Sequence, residues 1–387
     1  MPEQEQSKQQ ELPPPAGLYI HIPFCRSKCP YCDFYSIGST SLLPQWLEAI
    51  EEEILLYRDK FHSFDTIYFG GGTPSLLDIE MIERILNTLK KEYRFKEDTE
   101  ITLEANPCDM TPSKIDGLIL LGINRINLGV QSFNDDELHF LGRLHRGSNA
   151  ERVLNDLGKA RFDNVGIDLI YGLKDQSLND WQRTLERALH FIPEHISCYQ
   201  LTIEGKTVFD AMKNKGILED LNEDEAESFF LKTAGFLEEN GYLHYEVSNY
   251  ARDMKYESRH NIKYWNRIPY LGLGPSAHSF DGKKRWWNYR SVRKYCGSLR
   301  NGELPVENFE ILTGEQEILE KLALGLRTAN GIDMEILSKY PGSIKNVFKL
   351  ETSGHLIIKG RKIVPTKKGL MVADQLPLCI LDPDVKD

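Results

Sequence analysis

The sequence predicts an α/β protein: a partial (β/α)6 barrel followed by a small winged-helix-like domain. Three observations carry this. Between Gly17 and about Gln200, six short apolar runs alternate with polar or glycine-rich turns and amphipathic helical segments. The regularity then fades into an aromatic, motif-dense stretch. After Pro305, helical segments precede two short apolar strands joined by Lys359, Gly360 and Arg361. Alternating strands and helices imply a parallel sheet with right-handed crossovers. Six units are too few to close an eight-unit barrel, so the barrel is open.

The apolar runs place strands at 18–22, 66–69, 100–103, 125–130, 166–170 and 196–201. Helices fall at 42–57, 79–93, 113–121, 149–160 and 178–191. In the first of these, Leu43, Trp46, Leu47, Ile50, Ile54 and Leu55 share one apolar face at helical spacing. A helix at 223–239 leads into a strand at 245–249. Helices near 314–326 and 334–338 precede strands at 355–358 and 362–365, and a last helix follows near 368–375. The chain divides into a tail (1–16), the barrel core (17–221), an extension (222–305) and a C-terminal domain (306–387). The tail is rich in Gln, Glu and Pro and reads as disordered. It lacks the basic start and apolar middle of a signal peptide.

Of 387 residues, 41% are hydrophobic and 27% charged, as in an ordinary globular domain. The formal net charge of −11 argues against a grip on a nucleic-acid backbone, so no nucleic-acid partner is expected. No apolar run approaches the ~18 residues of a membrane-spanning helix. With no export signal, a cytoplasmic location is expected, and the seven cysteines do not read as a disulfide framework. Cys108, Cys198, Cys296 and Cys379 are scattered and are expected to be small buried apolar residues.

Cys25, Cys29 and Cys32 are different. They form a C-x3-C-x2-C loop directly after the first strand. Three thiolates can hold three irons of a [4Fe–4S] cube and leave the fourth open to a small ligand, whereas full protein ligation takes four cysteines. A closed zinc site is the alternative, with His21 or Asp33 as its fourth ligand. The other unusual residues also follow strands. Gly70, Gly71, Gly72, Thr73 and Pro74 end the second, Glu104 and Asn106 the third, Gln131 the fourth, and Asp168 lies near the end of the fifth. Active sites of such barrels form at the carboxyl ends of the strands, so these segments converge. The glycine run is no phosphate loop, because no Gly-Lys-Ser/Thr follows it. Gly272-x-Gly274-x-x-Ala277 lacks the strand–helix unit of a dinucleotide site.

C-x3-C-x2-C with an aromatic residue before its last Cys resembles the radical S-adenosylmethionine superfamily. From Gly17 onward the chain resembles the oxygen-independent coproporphyrinogen III oxidase family, and within it the HemW-type haem chaperone branch. The stretches that carry the resemblance are Phe69-Gly-Gly-Gly-Thr-Pro, Glu104-Ala-Asn-Pro, Leu128-Gly-Val-Gln-Ser-Phe, Leu141-Gly-Arg-Leu-His, Asp168-Leu-Ile-Tyr-Gly-Leu, Tyr245-Glu-Val-Ser-Asn and His260-Asn-Ile-Lys-Tyr-Trp. The resemblance implies a [4Fe–4S] cluster on Cys25, Cys29 and Cys32, with S-adenosylmethionine on its open iron. It implies Gly71, Gly72 and Thr73 beside the cofactor's methionyl part, and Tyr19 beside the cluster. Glu104, Gln131, Arg143 and Asp168 would place its amino-acid and ribose groups.

Two features separate this chain from the oxidases. Those relatives carry a fourth Cys two positions after the last ligand, where this chain has Phe34. The His260-Asn261-x-x-Tyr264-Trp265 motif belongs to the chaperone branch. The resemblance therefore implies a haem chaperone, with haem as cargo and His260 as a candidate iron ligand. An acceptor protein, which the branch allows to be membrane-associated, and an electron donor for the cluster are implied as partners. Radical decarboxylation of coproporphyrinogen III is the rival activity. Lys174-Asp175 stands where the family has Pro-Gly, and nothing in the sequence gives this change a function.

Overall fold

The structure is a computed structural model that describes residues 14–340 and 342–381. Most of the expected tail, residues 1–13, lies outside the described residues; Ala16 already begins a strand. The barrel strands are β1 (Ala16–Ile22), β2 (Phe64–Gly71), β3 (Phe95–Ala105), β4 (Arg125–Gln131), β5 (Val165–Tyr171) and β6 (His195–Gln200). They pair in parallel in chain order. Helices Leu43–Leu56, Ile79–Glu92, Pro112–Leu120, Gly147–Ala160 and Leu178–Leu189 connect them. The fold is the open α/β barrel that the alternation predicts.

The first helix shows how the pattern works and where it misleads. Leu43, Trp46, Leu47, Ile50 and Ile54 are buried, each large apolar side chain worth about 1.5–3 kcal/mol. Glu53 is buried with them. Its carboxylate accepts from the Gly274 amide (2.8 Å), Asn288 Nδ2 (2.6 Å) and the Tyr295 hydroxyl (2.6 Å). The buried carboxyl group thus ties this helix to segments more than two hundred residues later.

The extension does not stand apart from the barrel. β7 (Leu243–Glu246) and β8 (Asn249–Ala251) form a hairpin antiparallel to β6. β9 (Tyr270–Leu273) runs parallel to β1 on its other edge, with Gly17 opposite Tyr270. β10 (His278–Phe280), β11 (Lys284–Asn288) and β12 (Val306–Ile311) follow in antiparallel order. Among the described residues this makes one sheet of twelve strands. The glycine motif at Gly272 is the turn from β9 into β10, not the start of a helix.

The C-terminal part has its own small core around Leu322, Leu337, Val347 and Ile363. Its sheet places β15 (Lys362–Pro365) between β13 (Ile332–Asp333) and β14 (Leu356–Lys359). Helices packed with a hairpin match the winged-helix-like expectation. Arg327 joins it to the barrel, bonding Glu246 (3.2 Å) and lying 5.3 Å from the Trp265 ring centre. Two of the four scattered cysteines depart from expectation. Cys198 and Cys296 are buried, but Cys108 and Cys379 are exposed, the first in a turn after β3 and the second on the last short helix.

Candidate functional site

The cysteine loop is tied off at its base. The Cys25 amide donates to Ile37 O (3.1 Å) and the Ile37 amide to Pro23 O (2.8 Å). Phe24 anchors it in the core, edge-on against Trp46 at 5.8 Å. The three cysteines are half-buried free thiols. Thr73 Oγ1 donates to Cys25 Sγ (3.2 Å), and Arg143 Nη1 approaches Cys29 Sγ at 3.6 Å while its Nη2 holds Gly129 O (2.9 Å). Burial pushes the Cys32 thiol up. Cys25, Cys29, Thr73, Asn106, Cys108 and Arg143 line one small cleft. Segments following β1, β2, β3 and β4 therefore meet, as the strand-end argument requires.

The glycine run serves this meeting sterically. A Cβ on Gly72 would stand 2.5 Å from Phe24 O, and one on Gly71, at φ +110°, would stand 2.8 Å from the His21 ring. Only glycine lets the end of β2 lie so close to the cysteine loop. Gln131 also adopts a left-handed φ of 66°, where β4 slips its register against β5. Such strain in a non-glycine residue concentrates at functional sites.

Glu104 and Asp168 face the barrel interior above the core. Tyr68 donates to Glu104 (2.9 Å), and Asn127 Nδ2 donates to Asp168 Oδ2 (2.6 Å). Burial pushes Glu104 up to about 7, the Tyr68 bond opposing it and the nearby Asp168 charge adding to it. Burial likewise raises Asp168, with Asn127 and Ser197 opposing. Tyr19 lies beside them, its hydroxyl 3.2 Å from His21 Nδ1. Tyr19, Gln131, Arg143, Glu104 and Asp168 thus share one end of the barrel with the three cysteines.

His260 lies below that group, toward the amino-terminal ends of the strands, with its ring stacked on Tyr19 at 6.3 Å. It opens the helix Arg259–Trp265, against the amino-terminal halves of β1 and β2. It is 1% exposed and stacks on Tyr68 at 5.0 Å. Its Nδ1 bonds Thr66 Oγ1 and its Nε2 the Tyr264 hydroxyl, both at 2.8 Å. Burial pushes it down to about 3. In this conformation neither ring nitrogen has a lone pair to offer an iron.

The donor set fits an iron–sulfur cube better than zinc. His21 is buried with Nε2 on Tyr35 O (2.8 Å) and Nδ1 on Tyr19, and Asp33 is exposed. Among the described residues no three Cys, His, Asp or Glu side chains gather around a single-ion position. A cube spreads its thiolates farther apart than one ion does. Asp168 Oδ1 and Arg143 Nε are buried without partners at the same end, so the site has unmet polar capacity for a polar cofactor.

Residues 19–188 match the family model described as the radical SAM superfamily. A curated relative from Synechocystis, named heme chaperone HemW, is 37% identical and the match covers 82% of this chain and 79% of the relative. A Bacillus subtilis protein of the same name is 34% identical, over 86% and 89%. The chain belongs to the HemW family of radical SAM proteins. A mouse family relative, radical S-adenosyl methionine domain-containing protein 1, mitochondrial, is 32% identical over 95% of this chain and 87% of its own. The solved structure of Escherichia coli coproporphyrinogen III oxidase superposes with a TM-score of 0.81, over 96% of this chain and 91% of that one. At 23% identity it shares the fold.

Within this HemW-family site, sequence reasoning missed several residues. Arg26 reaches from the cysteine loop to Asp109 (2.9 Å), which is buried and also accepts from Ser75 (3.1 Å). That clamp joins the loops after β1, β2 and β3. Tyr68 and Asn127, which hold the two carboxylates, were hidden in strands read as apolar. Alternation was the available signal: Thr66 and Tyr68, Thr102 and Glu104, and Arg125 and Asn127 each sit two apart and face one side. Phe34, in place of the oxidase cysteine, is 69% exposed.

Proposed function

We propose that this chain binds haem and passes it to acceptor proteins, on a scaffold that carries an iron–sulfur cluster and S-adenosylmethionine. The observation that carries the reading is the match, along most of the chain, to relatives named heme chaperone HemW. In this reading Cys25, Cys29 and Cys32 hold a [4Fe–4S] cluster whose open iron takes S-adenosylmethionine, a pair that supplies one-electron reducing chemistry when bound. Thr73 and Arg143 donate toward thiolate sulfur and lower the cost of its charge. Glu104 and Asp168 accept from ammonium and ribose hydroxyl donors, which favours their ionised forms against burial. Gln131 completes the polar rim, Gly71 and Gly72 leave the methionyl part room, and Tyr19 covers the side toward β1.

Haem is the cargo. Its ligation by His260 carries a specific requirement: the bonds to Thr66 and Tyr264 must open and the helix must leave its place against β1 and β2. A protein acceptor, which the family reading allows to be membrane-associated, and an electron donor complete the partners, in the cytoplasm. Among the described residues no helix is long and apolar enough to cross a membrane.

Haem titration of the cluster-reconstituted protein tests the reading, followed by incubation with coproporphyrinogen III under reducing conditions. About one haem per chain and no protoporphyrinogen are expected. Turnover to protoporphyrinogen with matching release of 5′-deoxyadenosine would replace the chaperone with the oxidase. For His260→Ala, a shifted haem spectrum and weaker binding support ligation; an unchanged spectrum and affinity remove His260 from the haem site.

A further inference from the structure

Below the strand-end site, the barrel interior holds polar atoms with nothing to bond. Two of them, with a guanidinium nitrogen of Arg125, converge over Gly166. From the point where a Cβ would stand on that glycine, Asn127 Oδ1 is 2.7 Å away, His195 Nδ1 3.4 Å and Arg125 Nη2 3.5 Å. Asn127 Oδ1 and His195 Nδ1 are buried and have no partner, so they do not bond each other. Arg125 is 2% exposed, its Nε is also without a partner, and it forms no ion pair among the described residues. Left unmet, such buried groups destabilise the fold.

Asn127 Nδ2 donates to Asp168 Oδ2 (2.6 Å), so its free oxygen is an acceptor aimed at the gap. The Ser258 amide donates to the Tyr245 hydroxyl (3.3 Å), and that hydroxyl lies 2.7 Å from His195 Nε2. The phenol proton satisfies both groups if it goes to His195 Nε2. Burial keeps the ring neutral. Its proton is then on Nδ1, which makes Nδ1 a donor, as Arg125 Nη2 is. Two donors and one acceptor around one small space exclude an anion, which Asn127 Oδ1 would repel, and a cation, which Arg125 would repel. They match a molecule that both donates and accepts, with the usual three bonds of a buried water.

We propose that the space over Gly166 is a buried site for one water molecule, and that Arg125 and His195 act through it and Asn127 as positioning residues for Asp168. The connection runs from Asp168 through Asn127 and the water to His195, Tyr245 and Ser258. Ser258 caps the helix that carries His260, its Oγ accepting from the Asn261 amide (3.3 Å). The cofactor carboxylate and the His260 helix are thereby joined by one polar chain. A methyl group on Gly166 would stand 2.7 Å from Asn127 Oδ1, so glycine is what lets Asn127 keep its place here. The importance of Asp168 rests on the cofactor reading above; the water and the tautomer do not.

The test has two arms. In cofactor-free protein labelled with 15N-histidine, His195 should appear as the neutral Nδ1–H tautomer throughout about pH 5–8. An Nε2–H tautomer, or titration in that range, overturns the site. In cluster-reconstituted protein, Arg125→Met, which removes a donor without filling the gap, should weaken S-adenosylmethionine binding at least about tenfold at unchanged iron content, the size of a lost bond to a charged group. Should that variant fail to hold its iron, His195→Phe, which removes the other donor, carries the same expectation. Unchanged affinity in the iron-loaded variant beside weakened binding by Asp168→Asn overturns the water site alone. Wild-type affinity in Asp168→Asn overturns the positioning role together with the cofactor reading.

Discussion

Replacing Glu53 by Gln removes a buried carboxylate from the junction between the first helix, the end of β9, β11 and the helix Val292–Arg300. Burial pushes Glu53 from its ordinary 4.5 up to about 7, against the pull of its bonds from Tyr295, Gly274 and Asn288. A carboxyl whose folded value is raised costs stability as it ionises. The loss begins near the unfolded value, grows as pH rises through the folded one, and is constant above it. The shift corresponds to about 3 kcal/mol in full, most of which develops between about pH 5 and about pH 8. The variant stays neutral but sets an amide NH2 against the donors around it, a pH-independent cost of about 1–3 kcal/mol. Wild type should therefore be the more stable near pH 5, and its advantage should shrink by about 2–3 kcal/mol, or reverse, near pH 8. Urea unfolding followed by tryptophan fluorescence reads this directly. Trp286 reports on the junction, since its Nε1 donates to Tyr57 (2.9 Å) one turn along the helix from Glu53. A difference constant to within about 0.5 kcal/mol across that range would refute the reasoning.

Anaerobically reconstituted protein should hold about four irons and four sulfides, lost in Cys25→Ala, Cys29→Ala or Cys32→Ala and kept in Cys108→Ala, although Cys108 lines the same cleft; iron and sulfide analysis decides. Stoichiometric zinc in a colourless preparation would refute the cluster. Asp175→Gly should stabilise the fold by roughly 0.5 kcal/mol, read as a raised denaturation midpoint, because Asp175 holds a left-handed φ of 61° that glycine adopts freely. His260→Ala should cost about 2–3 kcal/mol in cofactor-free protein, since it leaves Thr66 and Tyr264 without their bonds and opens a gap beneath Tyr68; a neutral substitution would deny His260 its place in the packing.

The barrel was legible because buried parallel strands are continuous apolar runs between turn residues, and because cysteines, glycines and carboxylates fall just past them. The same rule hid its interior. A polar residue at every second position of such a strand looks like noise, as Thr66, Thr102, Arg125 and His195 did, until the strands are set side by side. β9 to β11 escaped notice because strands of three to five residues with aromatic and charged members carry little periodicity. The helix Ser343–Thr352 was missed for a related reason: it buries only Ser343, Asn346 and Val347 as a face. One helix expected near 368–375 is two, Lys367–Met371 and Leu376–Leu381, the second beginning with Pro377 in its first turn, where proline's missing amide is harmless. The odd Lys174-Asp175 loop gains a conformational account, since Asp175 takes up the turn geometry that the family's glycine would. Glu53 could not have been foreseen, because its partners lie more than two hundred residues away.

The pairing of β9 with β1 sets the order in which this chain can mature. The free edge of the first strand waits for a partner made about 250 residues later, roughly 12–50 s at ribosomal rates of about 5–20 residues per second. Throughout that interval the strand that feeds the cysteine loop presents an open row of amides and carbonyls to the cell. Neighbouring nascent chains can pair with the same edge while it is open. A chain cut before Tyr270 keeps this edge uncovered, which makes it prone to aggregate.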